Sequence, residues 1–454
     1  MEAKQSDLRM RVLMFPWLAH GHVFPFLELA KGLSNKHFHV YFCSTPINLD
    51  SVKNSLNNNK NDNYHIPIEL VELPLPSLPD LPPHYHTTKN IPPHLMPTLM
   101  KAFQMSAPAF SNILADLKPG LLIYDVFQPW AAKAAASQGV PPVYFSASGA
   151  TPYALAHHIY THKNWDSFPH QAIRLKDYEK RELGAADKIL QIRDAGESFV
   201  YGVFDLSNDV VLMKTCRALE GKYVDYLSTS YGRKIVTTGP LITFADNQET
   251  GGSEIMEWLS EREEESTLYI SFGSENYLPK EQMREIAIGL ELSGVNFIWV
   301  ARDPAGSEVT IEDAVPEGFL ERAKQRGLVV RGWAPQAAIL AHPGVGGFMS
   351  HCGWSSITES LYFGVPVVAL PLKLDQPINA RLVVEAGVGV EVARDEKGGL
   401  DGNGVAEAVK EVLVEESKER LRSRAREMSE KMKMEGEEAF GEIVEELRKF
   451  CARK

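Results

Sequence analysis

The stretch Trp333–Ser360, WAPQAAILAHPGVGGFMSHCGWSSITES, holds two tryptophans, two histidines, a cluster of glycines and one glutamate. A packed core favours aliphatic side chains and excludes His and Glu. A plain surface loop has no need of tryptophan. The mixture suits a ligand that carries an aromatic ring, hydroxyls and negative charge. Its grammar is strand–turn–helix. GGFMSH reads as a buried strand, Cys352-Gly353-Trp354 as a turn, and SSITESLYFG as a helix with Ser355 or Ser356 as its N-cap.

The same grammar repeats outward in both directions. Toward the N-terminus, RVLMFP, HVYFCS, IELVEL, LLIYD, VYFS, VVLMKT and KIVTTG read as strands. Their aliphatic character without alternation points to a parallel sheet covered on both faces. FPFLELAKGLS and PHLMPTLMKAFQMSAPAFSNILADL carry helical spacing between them. TLYISF, NFIWVA, LVVRGW, GGFMSH, VVALP and VGVEVA form a second such series. The polar, Gly-rich and acidic PLITFADNQETGGSE separates the two and reads as a linker. The expected organisation is two doubly wound α/β domains. The first covers 1–239, a linker 240–253, the second 254–435, and a charged helix over 436–454 packs back on the first domain. In open sheets of this kind, ligands sit beyond the carboxyl ends of the strands, so a cleft between the domains is the expected site.

Composition removes several function classes. The 454 residues are 44% hydrophobic and 23% charged, ordinary for a globular chain. A net charge of −12 argues against a nucleic-acid surface. Four scattered cysteines (Cys43, Cys216, Cys352, Cys451) make neither a disulfide framework nor a zinc site. No secretory leader and no membrane span are read, so a cytoplasmic, monomeric enzyme without membrane or nucleic-acid partners is expected.

Each candidate binding group follows a strand. Trp333 can stack on a planar base, with backbone groups near it reading the base edge. The helix after His351 offers N–H groups and a positive dipole end to phosphate, and Gly353 lets the backbone approach closely. Glu359, one turn further, can accept from a ribose diol. Asp375 and Gln376, in LPLKLDQP, can hold sugar hydroxyls. Base, ribose, phosphate and sugar together describe a nucleotide sugar.

WAPQ, HPGVGGFMSHCGW, the Glu of TES, GVPVVALP and the closing DQ resemble the signature of plant family 1 UDP-glycosyltransferases, and the resemblance extends over nearly the whole chain. It implies the GT-B fold, two Rossmann-like domains flanking the active site. It implies that Trp333 stacks on uracil and Ala334 holds it by backbone, and that Gln336 and Glu359 bind ribose. It places His351, Ser355, Ser356 and Ser274 at the diphosphate, and Trp354, Asp375 and Gln376 at the sugar. The terminal Gln implies glucose. One departure stands out: Ser355 occupies the position where the family commonly has Asn.

The first domain then supplies the chemistry. WLAHGHVFP, after the first strand, offers His20 and His22, either of which suits a proton acceptor near neutral pH. The helix that follows is read as beginning near Phe24. Asp125, ending LLIYD, is the candidate that orients the imidazole. The family pattern GHxxP selects His22 as base and Asp125 as its partner, and leaves His20 as pocket lining. The implied reaction is a single inverting displacement on UDP-glucose as co-substrate, with no cofactor and no metal. The openings VLMFPW, YFCST and LPPHYHTT, together with IYDVFQPW and HCGWSS, look like the branch that extends a sugar already on a flavonoid, terpenoid or lignan glycoside. The Pro-rich LPLPSLPDLPPHYHTTKNIPPHLMP reads as a loop that shapes the acceptor pocket. His84 and His86 are loop residues, and His157–His162 exposed helical histidines, rather than metal ligands. The rival activities are transfer to the free aglycone, and UDP-sugar epimerisation. A nucleotide-binding protein without catalysis is disfavoured by His22 and Asp125. No G-x-G-x-x-G follows the first strand, so a dinucleotide dehydrogenase is poorly supported.

Overall fold

The computed structural model describes residues 10–58, 67–89, 91–190, 202–244, 252–273, 276, 278–301 and 310–450. The thirteen strands expected from the sequence are all present, in two wholly parallel sheets. The first holds β1 (Arg11–Phe15), β2 (His39–Ser44), β3 (Glu69–Glu72), β4 (Leu121–Tyr124), β5 (Pro142–Ser146), β6 (Val210–Met213) and β7 (Lys234–Thr237). Their spatial order is β3-β2-β1-β4-β5-β6-β7. The second holds β8 (Thr267–Ser271), β9 (Asn296–Ala301), β10 (Gly327–Arg331), β11 (Val345–Ser350), β12 (Val367–Ala369) and β13 (Gly389–Glu391), in the order β10-β9-β8-β11-β12-β13. Both orders reverse beside the first strand of their sheet, the Rossmann arrangement, and a ligand crevice is expected at each reversal.

The aliphatic runs form strands because both faces of each sheet are covered. In the second sheet Tyr269 and Ile270, and likewise Phe348 and Met349, belong to separate hydrophobic clusters on opposite faces. One face packs on helices carrying Ile286, Leu290, Val405 and Val409, the other on Ile255, Leu259, Ile339 and Leu340. Full burial of each such side chain contributes about 1.5–3 kcal/mol. The edge strand β3 differs from the reading of IELVEL as buried: Glu69 and Glu72 are exposed, because an edge strand has a neighbour on one side only.

Other boundaries also moved. The helical stretch after the Pro-rich loop is two helices, Met96–Met105 and Ala107–Leu117. Ser106 lies between them with its hydroxyl on Phe103 O at 2.6 Å, and Pro108 sits in the first turn of the second helix, where its missing N–H costs nothing.

The chain forms two compact units. The first takes residues up to His157, Leu190–Thr243 and Met434 onward; the second takes His158–Ile189 and Phe244–Lys433. The segment 158–189, read from the sequence as part of the first domain, therefore packs with the second. Within the first unit the end of the helix Ser417–Lys449 contributes Ile443 and Leu447 to the core built on Val12, Met14, Phe26 and Phe42. The Phe440 ring lies over Gly32, a site with no room for a Cβ. Glu435 accepts the N–H groups of Arg217 and Ala218 at 2.5 and 2.7 Å, satisfying the start of the helix Arg217–Tyr231. Half of the linker reading, residues 245–251, lies outside the described residues.

Candidate active site

In the first unit the switch point lies between β1 and β4, which pair directly from Val12↔Leu121 to Phe15↔Tyr124. The loop after β1 enters a helix at His20 rather than near Phe24, so His22 lies in the first turn of His20–Asn35, with its N–H on Ala19 O at 2.9 Å. Asp125 follows β4 directly and is fully buried. Its Oδ2 lies 2.7 Å from His22 Nδ1 and accepts Trp17 N–H at 2.9 Å, while Oδ1 accepts Val126 N–H at 2.7 Å. A buried carboxylate needs this number of donors. An ionised carboxylate only accepts, so it fixes the proton on Nδ1 and leaves Nε2 as the basic nitrogen of the imidazole.

His20 differs in kind. Burial, reinforced by the Lys89 ammonium, pushes its pKa down to about 4, which makes it a weak proton acceptor at neutral pH. Its ring packs edge-on to Phe24 at 5.1 Å. Residue type alone leaves the two histidines level, and the GHxxP resemblance selects His22; the fold separates them physically, placing one against a carboxylate and the other near a cation.

The supporting residues of this half were not read from the sequence. Leu18 O receives Asn48 Nδ2 at 3.3 Å, Thr87 Oγ1 at 3.2 Å and Thr88 N–H at 3.1 Å, so three donors fix the carbonyl two residues before the helix. Gln128 donates to Phe15 O at 2.5 Å and ties the turn after Asp125 to the end of β1. The Pro-rich segment thus serves through Thr87 and Thr88. A Gln immediately before the helix-starting Pro129 was the one visible signal for Gln128.

In the second unit the switch point lies between β8 and β11. Ser274, expected after β8, lies outside the described residues. His351, after β11, is buried, and its pKa falls to about 4 through burial and the nearby Lys373. It is neutral at physiological pH. Its ring is enclosed by two glycines: a Cβ on Gly353 would lie 2.4 Å from Nε2 and one on Gly273 2.9 Å from Cε1. Cys352 takes a left-handed conformation, φ 65°, at the turn.

The expected N-cap is corrected here. The helix Trp354–Tyr362 is capped by Gly353, in extended conformation and without a side chain, so Ser355 and Ser356 are its second and third residues. The early start brings the N–H groups of the first turn, which an α-helix leaves without intrahelical acceptors, directly behind the glycine. Ser356 is buried and Trp354 is buried at the first helical position.

Gln336 opens the helix Gln336–Ala341 and donates to Glu359 Oε2 at 2.7 Å and, at 3.4 Å, to Ser356 Oγ. Trp333 is 41% exposed, unusual for its size, and available for stacking. Ala334 is buried, with its carbonyl on Gln336 N–H at 2.9 Å. Asp375 precedes the helix Gln376–Glu385. Gln376 Oε1 accepts the N–H groups of Leu372 and Lys373 at 3.0 and 2.9 Å, holding the loop after β12. Asn379, missed in the sequence, donates to both Cys352 O and Asp375 Oδ2 at 3.1 Å and joins the two loops. The described candidate residues of this unit therefore gather toward the carboxyl ends of its strands.

Two family models divide the chain. The N-terminal domain of glycosyltransferases matches residues 9–243, and the UDP-glucoronosyl and UDP-glucosyl transferase model matches residues 236–425. Mogroside IIIx synthase of Siraitia grosvenorii is 48% identical over 452 residues, covering 98% of this chain and 94% of that protein. The chain belongs to the UDP-glycosyltransferase family. A second relative, beta-D-glucosyl crocetin beta-1,6-glucosyltransferase of Gardenia jasminoides, is 44% identical over 96% of this chain and 97% of its own. The Glycyrrhiza uralensis protein crystallised with glycyrrhetinic acid 3-O-monoglucuronide superposes with a TM-score of 0.83 at 24% identity, covering 98% of this chain and 97% of that one. That likeness concerns the fold, and this UDP-glycosyltransferase has the two-sheet GT-B architecture.

No described helix is long and apolar enough to cross a membrane. Among the described residues no group of three or more His, Cys, Asp or Glu is placed to hold a metal ion.

Proposed function

We propose that this UDP-glycosyltransferase moves glucose from UDP-glucose to a sugar hydroxyl of a plant natural-product glycoside, with inversion at the anomeric carbon. One observation carries the chemistry: the 2.7 Å contact between His22 Nδ1 and the buried Asp125 at a Rossmann switch point. His22 Nε2 takes the proton of the acceptor hydroxyl as its oxygen forms the new bond to the anomeric carbon. The bond to the β-phosphate breaks on the opposite side, and UDP leaves with the electron pair. Asp125 stabilises the imidazolium that forms. The charge growing on UDP meets the first turn of the helix Trp354–Tyr362 together with Ser355 and Ser356. Trp333 and Ala334 take the uracil, Gln336 and Glu359 the ribose, and Asp375 and Gln376 the glucose.

Support for a glycoside acceptor comes from the two relatives whose names describe mogroside synthesis and transfer to glucosyl crocetin. The three described cysteines are unpaired and buried, in keeping with a cytoplasmic site of action.

The test is a donor-by-acceptor screen read by mass spectrometry. UDP-glucose, UDP-rhamnose and UDP-glucuronate are each paired with flavonoid, triterpenoid and carotenoid aglycones and with their monoglucosides. Dihexosides formed from monoglucosides with UDP-glucose are expected. Products from free aglycones alone overturn the glycoside reading, and conversion of UDP-glucose without any acceptor overturns transfer itself.

A further inference from the structure

Glu179 has a local task first. It is the third residue of the helix Asp177–Leu190, and its Oε2 accepts Lys176 N–H at 2.7 Å, capping that helix start. The residue is 3% exposed, and a carboxylate so buried needs a cation. Arg381 supplies it. One guanidinium nitrogen lies 2.8 Å from Oε1 and 2.9 Å from Oε2, and the other bonds Glu391.

The partner is what matters. Arg381 stands on the helix Gln376–Glu385, whose first residue holds the loop after β12 through its side chain. A second tie reaches the other end of that loop. Arg394 Nη2 donates to Pro371 O at 3.2 Å, and Pro371 directly precedes the two N–H groups that Gln376 holds. Arg394 is half-buried; burial lowers its pKa, against which Tyr178, Glu182, Glu391 and Glu179 favour its charge. Acidic groups of the segment 158–189 thus lie behind both ends of the loop 371–376.

We propose that Glu179 is a positioning residue for the sugar end of the donor site, acting through Arg381 and its helix on the loop that carries Asp375 and Gln376. The inference rests on the reading that those two residues bind the hexose. It makes hexose recognition depend on a segment drawn from the first half of the sequence, outside the signature stretch. Glu179 touches no substrate; it sets where the substrate-binding side chains stand.

The test is calorimetric binding of UDP and of UDP-glucose to the full-length wild type, Glu179→Gln, Arg381→Gln and the double variant, with donor and acceptor KM measured alongside. Glu179→Gln keeps the side-chain shape and an acceptor for Lys176 while removing the charge. It is expected to weaken UDP-glucose by about tenfold, to leave UDP within about twofold, and to raise donor KM without moving acceptor KM. The double variant is expected to lose no more than the worse single one, because the two residues act as a unit. Equal weakening of UDP and UDP-glucose marks a merely structural role and overturns the proposal, as does unchanged binding of both. Should Glu179→Gln not fold, Tyr178→Phe, which removes a 3.3 Å hydroxyl contact to Glu179 Oε1, is expected to show a smaller shift confined to UDP-glucose, and no shift overturns the proposal. A wild type that binds neither UDP nor UDP-glucose sinks the proposed function itself, a result distinct from normal UDP-glucose binding by Glu179→Gln.

Discussion

The side-chain amide of Gln336 donates to Glu359 Oε2 at 2.7 Å, across 23 residues of sequence, from the start of one helix to the second half of another. The contact fixes one oxygen of Glu359 and leaves the carboxylate with further acceptor capacity. A ribose diol is the ligand the pair is expected to take. Glu359→Ala should weaken UDP by about tenfold or more, since hydrogen bonds to a charged group are worth about 1.5–3 kcal/mol. Titration with UDP and 2′-deoxy-UDP checks the assignment. The wild type should prefer UDP and the variant should not; an unchanged preference removes Glu359 from the ribose.

His22→Ala should lower kcat by about 10²–10⁴-fold, the usual cost of losing a general base, with UDP affinity unchanged. Asp125→Asn should fall in the same direction, because the amide no longer fixes the Nδ1 proton. His20→Ala should keep most of the turnover, since a group whose pKa stands at about 4 is a poor base at pH 7. Steady-state kinetics on the three variants decides this, and full activity in His22→Ala would end its role as base.

Gly353→Ala tests the backbone. At φ −62° and ψ 140° the residue has an ordinary conformation, so alanine costs nothing there. The cost comes from the His351 ring, 2.4 Å from the new Cβ. Overpacking of this kind costs about 1–3 kcal/mol, and the displaced ring should disturb the anion site. A lower Tm with UDP binding weakened more than tenfold is expected. Wild-type UDP affinity in this variant would show that the close approach is not needed.

Acid should destabilise the second unit through His351. Its folded pKa, about 4, lies below the ordinary 6.5, so between those values the unfolded chain binds the extra proton. Stability therefore rises with pH through that window and is lost as pH falls from 6.5 toward 4. The difference corresponds to at most about 3 kcal/mol. Denaturant midpoints measured from pH 7.5 to 4.5 should show this slope in the wild type and a shallower one in His351→Gln. Parallel slopes would exclude His351 as the source.

The two sheets were readable in advance because their strands are short aliphatic runs between helical patterns, as in RVLMFP and TLYISF. Where both faces are buried, no alternation competes with that signal. Edges were less legible: IELVEL became a half-exposed edge strand, and the helix after the Pro-rich loop broke at Ser106. The start of the helix at His20 was hidden by its apolar surroundings. It is set by Ala19 O, which accepts from both His22 and Val23.

The sequence by itself determined the alternation of strands and helices, hence two parallel sheets, and the order of groups from Trp333 to Gln376. These follow from local periodicity and from residue types just after strands. Only the tertiary structure decided the 2.7 Å geometry of His22 on Asp125, that Leu18 O is held by three donors from two segments, and that 158–189 leaves the first unit to place Glu179 on Arg381. Such contacts join residues up to 202 positions apart. Their donors and acceptors are ordinary polar residues with no periodic signature, so their partners are fixed only when the packing of the sheets brings them within hydrogen-bonding distance.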